Sequence, residues 1–108
     1  MRTDLNMRKG KMVAQGAHAS LKATLENMSR REVGEWLSSS FTKICVRADS
    51  LEELEGVYLA AEAAGLIRAK IVDSGKTEFA GVPTVTCVAV GPASEEELSG
   101  VTGHLKLL

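Results

Sequence analysis

The segment that most constrains this chain is Thr84–Val90, Thr-Val-Thr-Cys-Val-Ala-Val. It carries no charge, alternates threonine with valine, and is bounded by Pro83 before it and Gly91-Pro92 after it. β-Branched residues between turn formers read as a strand, here one apolar enough to be central in a sheet. Around it, helical and strand patterns alternate, which argues for an α/β fold. Residues 10–27 follow a 3.6-residue period through Met12, Ala14 or Gln15, Ala19 and Leu21–Leu25. Ser29 and Glu32 have the spacing of a capping box, opening a short helix through Val33, Trp36 and Leu37 that ends at Ser38-Ser39-Ser40. Phe41–Ala48 alternates as a strand.

Asp49-Ser50-Leu51-Glu52-Glu53 starts another helix, with acids in the first turn where the helix dipole favours them. This helix runs through Leu54, Val57, Tyr58, Ala61 and Ala64 to Gly65, a C′ glycine. Leu66–Val72 reads as a strand and Asp73–Pro83 as a loop. Ser94 and Glu97 form a second capping-box pattern, before a helix carrying Leu98, Val101 and Leu105. A helix opening at residue 10 normally follows a strand in such a fold. Only Met1–Asp4 precedes the turn Leu5–Lys9, which is short for one.

The 108 residues fit one domain, 1–108, and the 44% hydrophobic fraction can support a core without metal or disulfide. Cys45 and Cys87 both lie in apolar strand-like runs and are expected as buried free thiols, with no second ligand at metal spacing. No apolar run approaches the roughly 20 residues of a membrane helix. Met1-Arg2-Thr3-Asp4 does not open a signal peptide, so a cytoplasmic location is the default expectation. The net charge of −1 gives no global nucleic-acid signature. Its distribution is uneven: residues 1–47 hold nine Lys/Arg against four Asp/Glu, and the remainder four against ten. An anionic partner would approach Arg8-Lys9-Gly10-Lys11, although a lopsided charge map also occurs without a partner.

Two stretches carry candidate chemistry. Lys11, Gln15 and His18 stand at i, i+4 and i+7, on one face of the first helix. Asp73-Ser74-Gly75-Lys76-Thr77-Glu78 places an acid, a glycine, a base and a hydroxyl on a strand-end loop. Lys9-Gly10-Lys11 is not a Walker phosphate loop, since Met12 fills the Ser/Thr slot. A helix N-terminus with Lys11 could still hold a phosphate. Asp73 can act as general base, orient a water, or only cap its own loop. Thr77, Thr84 and Thr86 can bond a substrate or serve as ordinary strand threonines, and His18 can titrate near neutrality or simply be satisfied by its surroundings. Aromatic residues make up only 4% of the chain, so base stacking is not expected as the main binding mode.

Taken in order, Thr3-Asp4-Leu5, Lys9-Gly10-Lys11, Ala14-Gln15, His18-Ala19, Asp73–Glu78, Thr86, Gly91-Pro92 and Thr102–Leu108 resemble the type 2 peptidyl-tRNA hydrolases over essentially the whole chain. The resemblance implies a three-layer α/β/α fold with a small four-stranded mixed sheet. It also implies a homodimer, as in several members, and no metal or other cofactor. The implied reaction is hydrolysis of the ester joining a peptide to the tRNA terminal ribose, with peptidyl-tRNA as partner. Lys11, Asp73, Thr77 and Thr86 match positions that imply catalysis. Gln15 and His18, with the basic Arg8 and Lys9, would bind substrate. The alternative is a catalytically silent tRNA- or protein-binding module on the same fold.

Four departures stand out. Gly16 occupies a common cysteine position, and Lys76 a frequent arginine. The loop Ala80–Pro83 is one residue longer than in archaeal members, leaving Thr84 as the other match for Thr86. The members' apolar first strand is cut short here, and a version extended upstream is expected to be more stable.

Overall fold

The computed structural model describes all 108 residues. Its elements are α1 (Lys9–Leu25), α2 (Arg31–Leu37), α3 (Leu51–Ala63), β1 (Arg68–Asp73), a 3₁₀ turn (Phe79–Gly81), β2 (Thr84–Val90) and α4 (Glu95–Thr102). β1 and β2 pair antiparallel, with Arg68 opposite Val90 and Asp73 opposite Thr84. Helices cover both faces. Ala23 of α1 and Val33 of α2 pack on Ile67, Ala69 and Ala89. On the other face Val57 and Ala61 of α3 and Val101 of α4 pack on Leu66, Val88 and Val90. The alternation of β1 and β2 side chains supplies both layers, because neighbouring positions point to opposite faces.

The β1–β2 register carries one irregularity that matters for function. Ile71 pairs with Cys87, but the next residue, Val72, pairs with Val85, so Thr86 is extra in β2. Such a bulge breaks strict alternation. Thr86 and Cys87 are accordingly both buried, side by side, and both turn towards α1.

Four expectations are corrected. The four-stranded mixed sheet does not form: there are two strands, and the other expected positions hold only isolated bridges. Arg2 pairs parallel with Ala48, and Val46 antiparallel with Leu107. Arg2 N–H also donates to Thr86 O at 3.0 Å, so the layer continues beyond β2 without becoming a ladder. Met1–Thr3 bonds the run Phe41–Ala48 only at Val46 and Ala48, and Phe41, at its start, takes a left-handed φ of 35°. Cys45, expected buried, is exposed for the same reason, while Cys87 is a buried free thiol. The Ser29–Glu32 capping box is absent: Arg30 is the N-cap of α2, and Glu32 bonds the Arg30 guanidinium at 2.6 Å instead. In α1 the buried face is Gln15, Ala19 and Ala23, whereas Leu21 and Leu25 are exposed. Small residues let the helix backbone lie close to the sheet, and that closeness brings Gln15 to β2.

The remaining caps match their sequence signals. Ser50 Oγ accepts from Glu53 N–H, Ser94 and Glu97 form a reciprocal capping box, and Gly65 has φ +70° just beyond α3.

Candidate active site

The end of β1, the first turns of α1 and the bulge of β2 converge on one carboxylate. Asp73 closes β1. Its Oδ1 accepts from Lys11 Nζ at 2.8 Å and from Gln15 Nε2 at 3.3 Å. Its Oδ2 accepts from Gly75 N–H at 2.9 Å, an Asx turn. The loop-capping role and the side-chain network therefore coexist on the same residue. Lys11 Nζ also donates to Thr77 Oγ1 at 3.2 Å. The Lys11–Asp73 pair is mostly withdrawn from solvent, with side chains 15% and 12% exposed.

Behind this pair lies a buried layer. Gln15 is 2% exposed and Thr86 fully buried. Thr86 Oγ1 donates to Gln15 Oε1 at 2.5 Å, which fixes the Gln15 amide with Nε2 towards Asp73. Cys87 Sγ donates to the Gln15 carbonyl at 3.3 Å, and burial pushes that thiol's pKa up, keeping it protonated. No buried side-chain nitrogen or oxygen is left without a partner.

The Lys11 hydrogen bond, and next the Gly75 N–H, hold the Asp73 carboxyl below the usual carboxylate range; desolvation opposes them more weakly. A carboxylate held ionised in this way is a weak proton acceptor and a good acceptor of hydrogen bonds. It suits orienting a water more than storing its proton.

The loop after Asp73 is tightly wound. Gly75 has φ +81°, and a Cβ there would stand 2.3 Å from Val82 O. Gly81 N–H donates to Gly75 O and Val82 N–H to Phe79 O, both at 2.9 Å. Phe79 follows Thr77 by two residues and lies with its ring 5.9 Å from Lys11 Nζ. It was missed in the sequence; the only signal was that it is the sole aromatic between Asp73 and Pro83.

Of the predicted residues, Lys11, Gln15, Asp73, Thr77 and Thr86 come together. Thr84 does not: its hydroxyl donates to Val82 O at 2.8 Å, which leaves Thr86 as the threonine on Gln15. His18 is exposed and makes no side-chain hydrogen bond in the network. Arg8 and Lys9 are exposed at the N-terminal end of α1, outside the network but on the same end of the helix as Lys11. An open surface cavity of about 550 Å³ is lined by Arg47, Asp49, Glu53, His104, Leu105 and Lys106, none of which belongs to this site. No three His, Cys, Asp or Glu side chains converge at metal-binding distance.

An α/β domain with a lysine–carboxylate pair at a strand end, backed by a buried amide and hydroxyl, has the layout of a small hydrolase. Comparison with known proteins makes the class specific. The family model described as "Peptidyl-tRNA hydrolase PTH2" matches residues 1–108, and the chain belongs to that family. It is 44% identical over 110 residues to the peptidyl-tRNA hydrolase of Methanocaldococcus jannaschii, covering all of this chain and 95% of the relative. It is 39% identical over 115 residues to that of Sulfolobus acidocaldarius, again over all of this chain and 95% of the relative. It is also 39% identical over 109 residues to the probable peptidyl-tRNA hydrolase 2 of Dictyostelium discoideum, where it covers 99% of this chain and 51% of the relative.

Proposed function

We propose that this protein hydrolyses the ester between the peptide and the terminal ribose of peptidyl-tRNA. Family membership supports the substrate. One geometric observation carries the chemistry: Lys11 Nζ uses two donors, on Asp73 and Thr77, and an ammonium has three. The third is available to the ester carbonyl, where it stabilises the oxyanion that forms on attack. Asp73 Oδ2 accepts one hydrogen bond, from Gly75, and has capacity for a water. That water adds to the carbonyl carbon, the C–O bond to ribose breaks, and the proton lost by the water ends on the leaving ribose oxygen.

Thr77 holds the ammonium from the loop side. Gln15 and Thr86 are positioning residues: Thr86 is too deeply buried to meet substrate and acts through Gln15. Exposed Arg8 and Lys9 meet tRNA phosphates, and exposed His18 stands further along the same helix for the same substrate. The reading includes a cytoplasmic dimer. The exposed apolar residues Val13, Leu21 and Leu25 of α1 offer a second copy a packing surface, and sedimentation equilibrium checks this.

The test is release of peptide from purified peptidyl-tRNA by the folded protein, with and without chelator. Turnover insensitive to chelator is the expected result. A folded protein that binds peptidyl-tRNA without cleaving it would be the silent binding module instead. Loss of turnover with chelator would overturn the mechanism drawn from Lys11 and Asp73.

A further inference from the structure

We infer that Phe79 is the platform on which the terminal adenine of the tRNA stacks, an inference that rests on the peptidyl-tRNA reading. Of the four aromatic residues in the chain, three are engaged elsewhere. Trp36 and Phe41 meet edge-on, with ring centroids 6.2 Å apart. Tyr58 is covered by Arg68 and Lys70, at 3.8 and 4.4 Å. Phe79 belongs to neither core cluster and is only half-buried. Its one cationic neighbour is Lys11, the ammonium of the site.

Its backbone is also unusual. Phe79 has φ +63° and Ala80 φ +51°, both in the left-handed region that bulky residues seldom adopt. Such strain persists where surrounding structure over-determines it, and it clusters at ligand clamps. Here the Gly75–Val82 approach and the two loop hydrogen bonds hold the turn. A bulky apolar side chain is thus fixed in a costly conformation without a core to fill.

The distance admits two occupants, and their chemistry selects between them. With the ester at Lys11 and Asp73, the ribose carrying it lies alongside, and its base lies one furanose ring further on. The Phe79 ring, centred 5.9 Å from Lys11 Nζ, is within reach of that base. The C-terminal side chain of the peptide could also reach the ring, but it differs from one substrate to the next. The terminal adenine is common to all tRNAs, and one fixed aromatic ring suits a constant base. Stacking is tolerant of groove shape because every base has a π-face.

The experiment compares the parent with Phe79→Ala, Phe79→Leu and Phe79→Tyr. On peptidyl-tRNA, Phe79→Ala and Phe79→Leu are expected to raise KM by about 5- to 150-fold, the range of one base–aromatic stack, with kcat nearly unchanged. Phe79→Tyr should stay close to the parent. On peptidyl-tRNA with an abasic terminal residue, parent and Phe79→Leu should have equal KM. A second readout is independent of turnover: titration with the trinucleotide CCA should saturably shift the Phe79 ring resonances in NMR spectra.

Active parent with KM unchanged in Phe79→Leu overturns the inference and leaves the hydrolase reading standing. A KM effect that varies with the C-terminal amino acid and survives on abasic substrate places the peptide on the ring, and also overturns it. Inactive parent with a saturable Phe79 shift keeps the adenine platform and removes the hydrolase reading. Absence of both removes both.

Discussion

Replacing Thr86 by valine tests whether the buried layer positions the catalytic pair. Valine has nearly the shape of threonine but no hydroxyl. The Thr86 side chain is fully buried and Gln15 is 2% exposed, so water has little access to the amide oxygen left behind. An orphaned buried acceptor costs about 1–3 kcal/mol. With an unfolding entropy of about 2.1 cal/mol/K per residue, this chain loses about 0.23 kcal/mol of stability per degree near its midpoint. Thr86→Val should therefore lower Tm by roughly 4–13 °C. Gln15 Nε2 loses its orientation towards Asp73, so kcat should fall several-fold while KM moves little. Calorimetry and single-turnover hydrolysis read the two effects. The paired variant Thr86→Val/Gln15→Met removes both polar ends. It should be less destabilised than the two single changes added together, by about 1 kcal/mol or more. An unchanged Tm in Thr86→Val, or simple additivity in the pair, would refute the claim that Thr86 fixes Gln15.

Other outcomes follow from the same geometry. Asp73→Asn keeps the size of the side chain but loses the charge that holds Lys11 and the water; turnover should fall by about 10²-fold or more with the circular dichroism spectrum retained. Lys11→Met removes the main cause of the depressed Asp73 pKa, so Asp73 should titrate at higher pH than in the parent in a carboxyl ¹³C NMR titration. The sign for stability follows: in the parent the ionised Asp73 contributes stability above the ordinary carboxylate range, lost as pH falls through the lower folded value, and in Lys11→Met that contribution shrinks to what the Gly75 and Gln15 bonds supply. Gly75→Ala would place its Cβ 2.3 Å from Val82 O at φ +81°, so the loop must open; a drop in Tm together with loss of turnover is expected, and a neutral result would mean the loop is not held as described. Arg8→Ala and Lys9→Ala should raise KM and each flatten its log–log salt dependence by roughly 0.7–0.9, the effect of one phosphate contact.

Local patterns carried much of this protein. Thr84–Val90 reads as a strand from β-branching and its proline and glycine borders, and the structure has β2 over the same residues. The Ser50 and Ser94 caps and the Gly65 stop are decided within a few residues, because each satisfies backbone groups in its own turn. The i, i+4 spacing of Lys11 and Gln15 likewise put both on one helical face before any packing was known, and the ordered motifs pointed to the family. Ser29–Glu32 had an equally good local pattern and failed, because Arg30 offered Glu32 a charged partner that competes with a backbone amide. Phe41–Ala48 alternated well and still formed no strand, since a strand exists only with a neighbour to pair with, and Arg2–Ala48 and Val46–Leu107 are single bridges.

Tertiary structure alone decided which threonine faces the site. Period-2 alternation puts Thr84 and Thr86 on one face of β2 and Cys87 on the other. The bulge at Thr86 cancels that rule, turning Thr86 and Cys87 together onto Gln15 and leaving Thr84 on its own loop. It also decided the orientation of the Gln15 amide and the place of Phe79 beside Lys11, residues 68 positions apart in sequence. Spacing along a chain fixes which side chains share a face; which faces meet is set by the close approach of an alanine-lined helix to a two-stranded sheet.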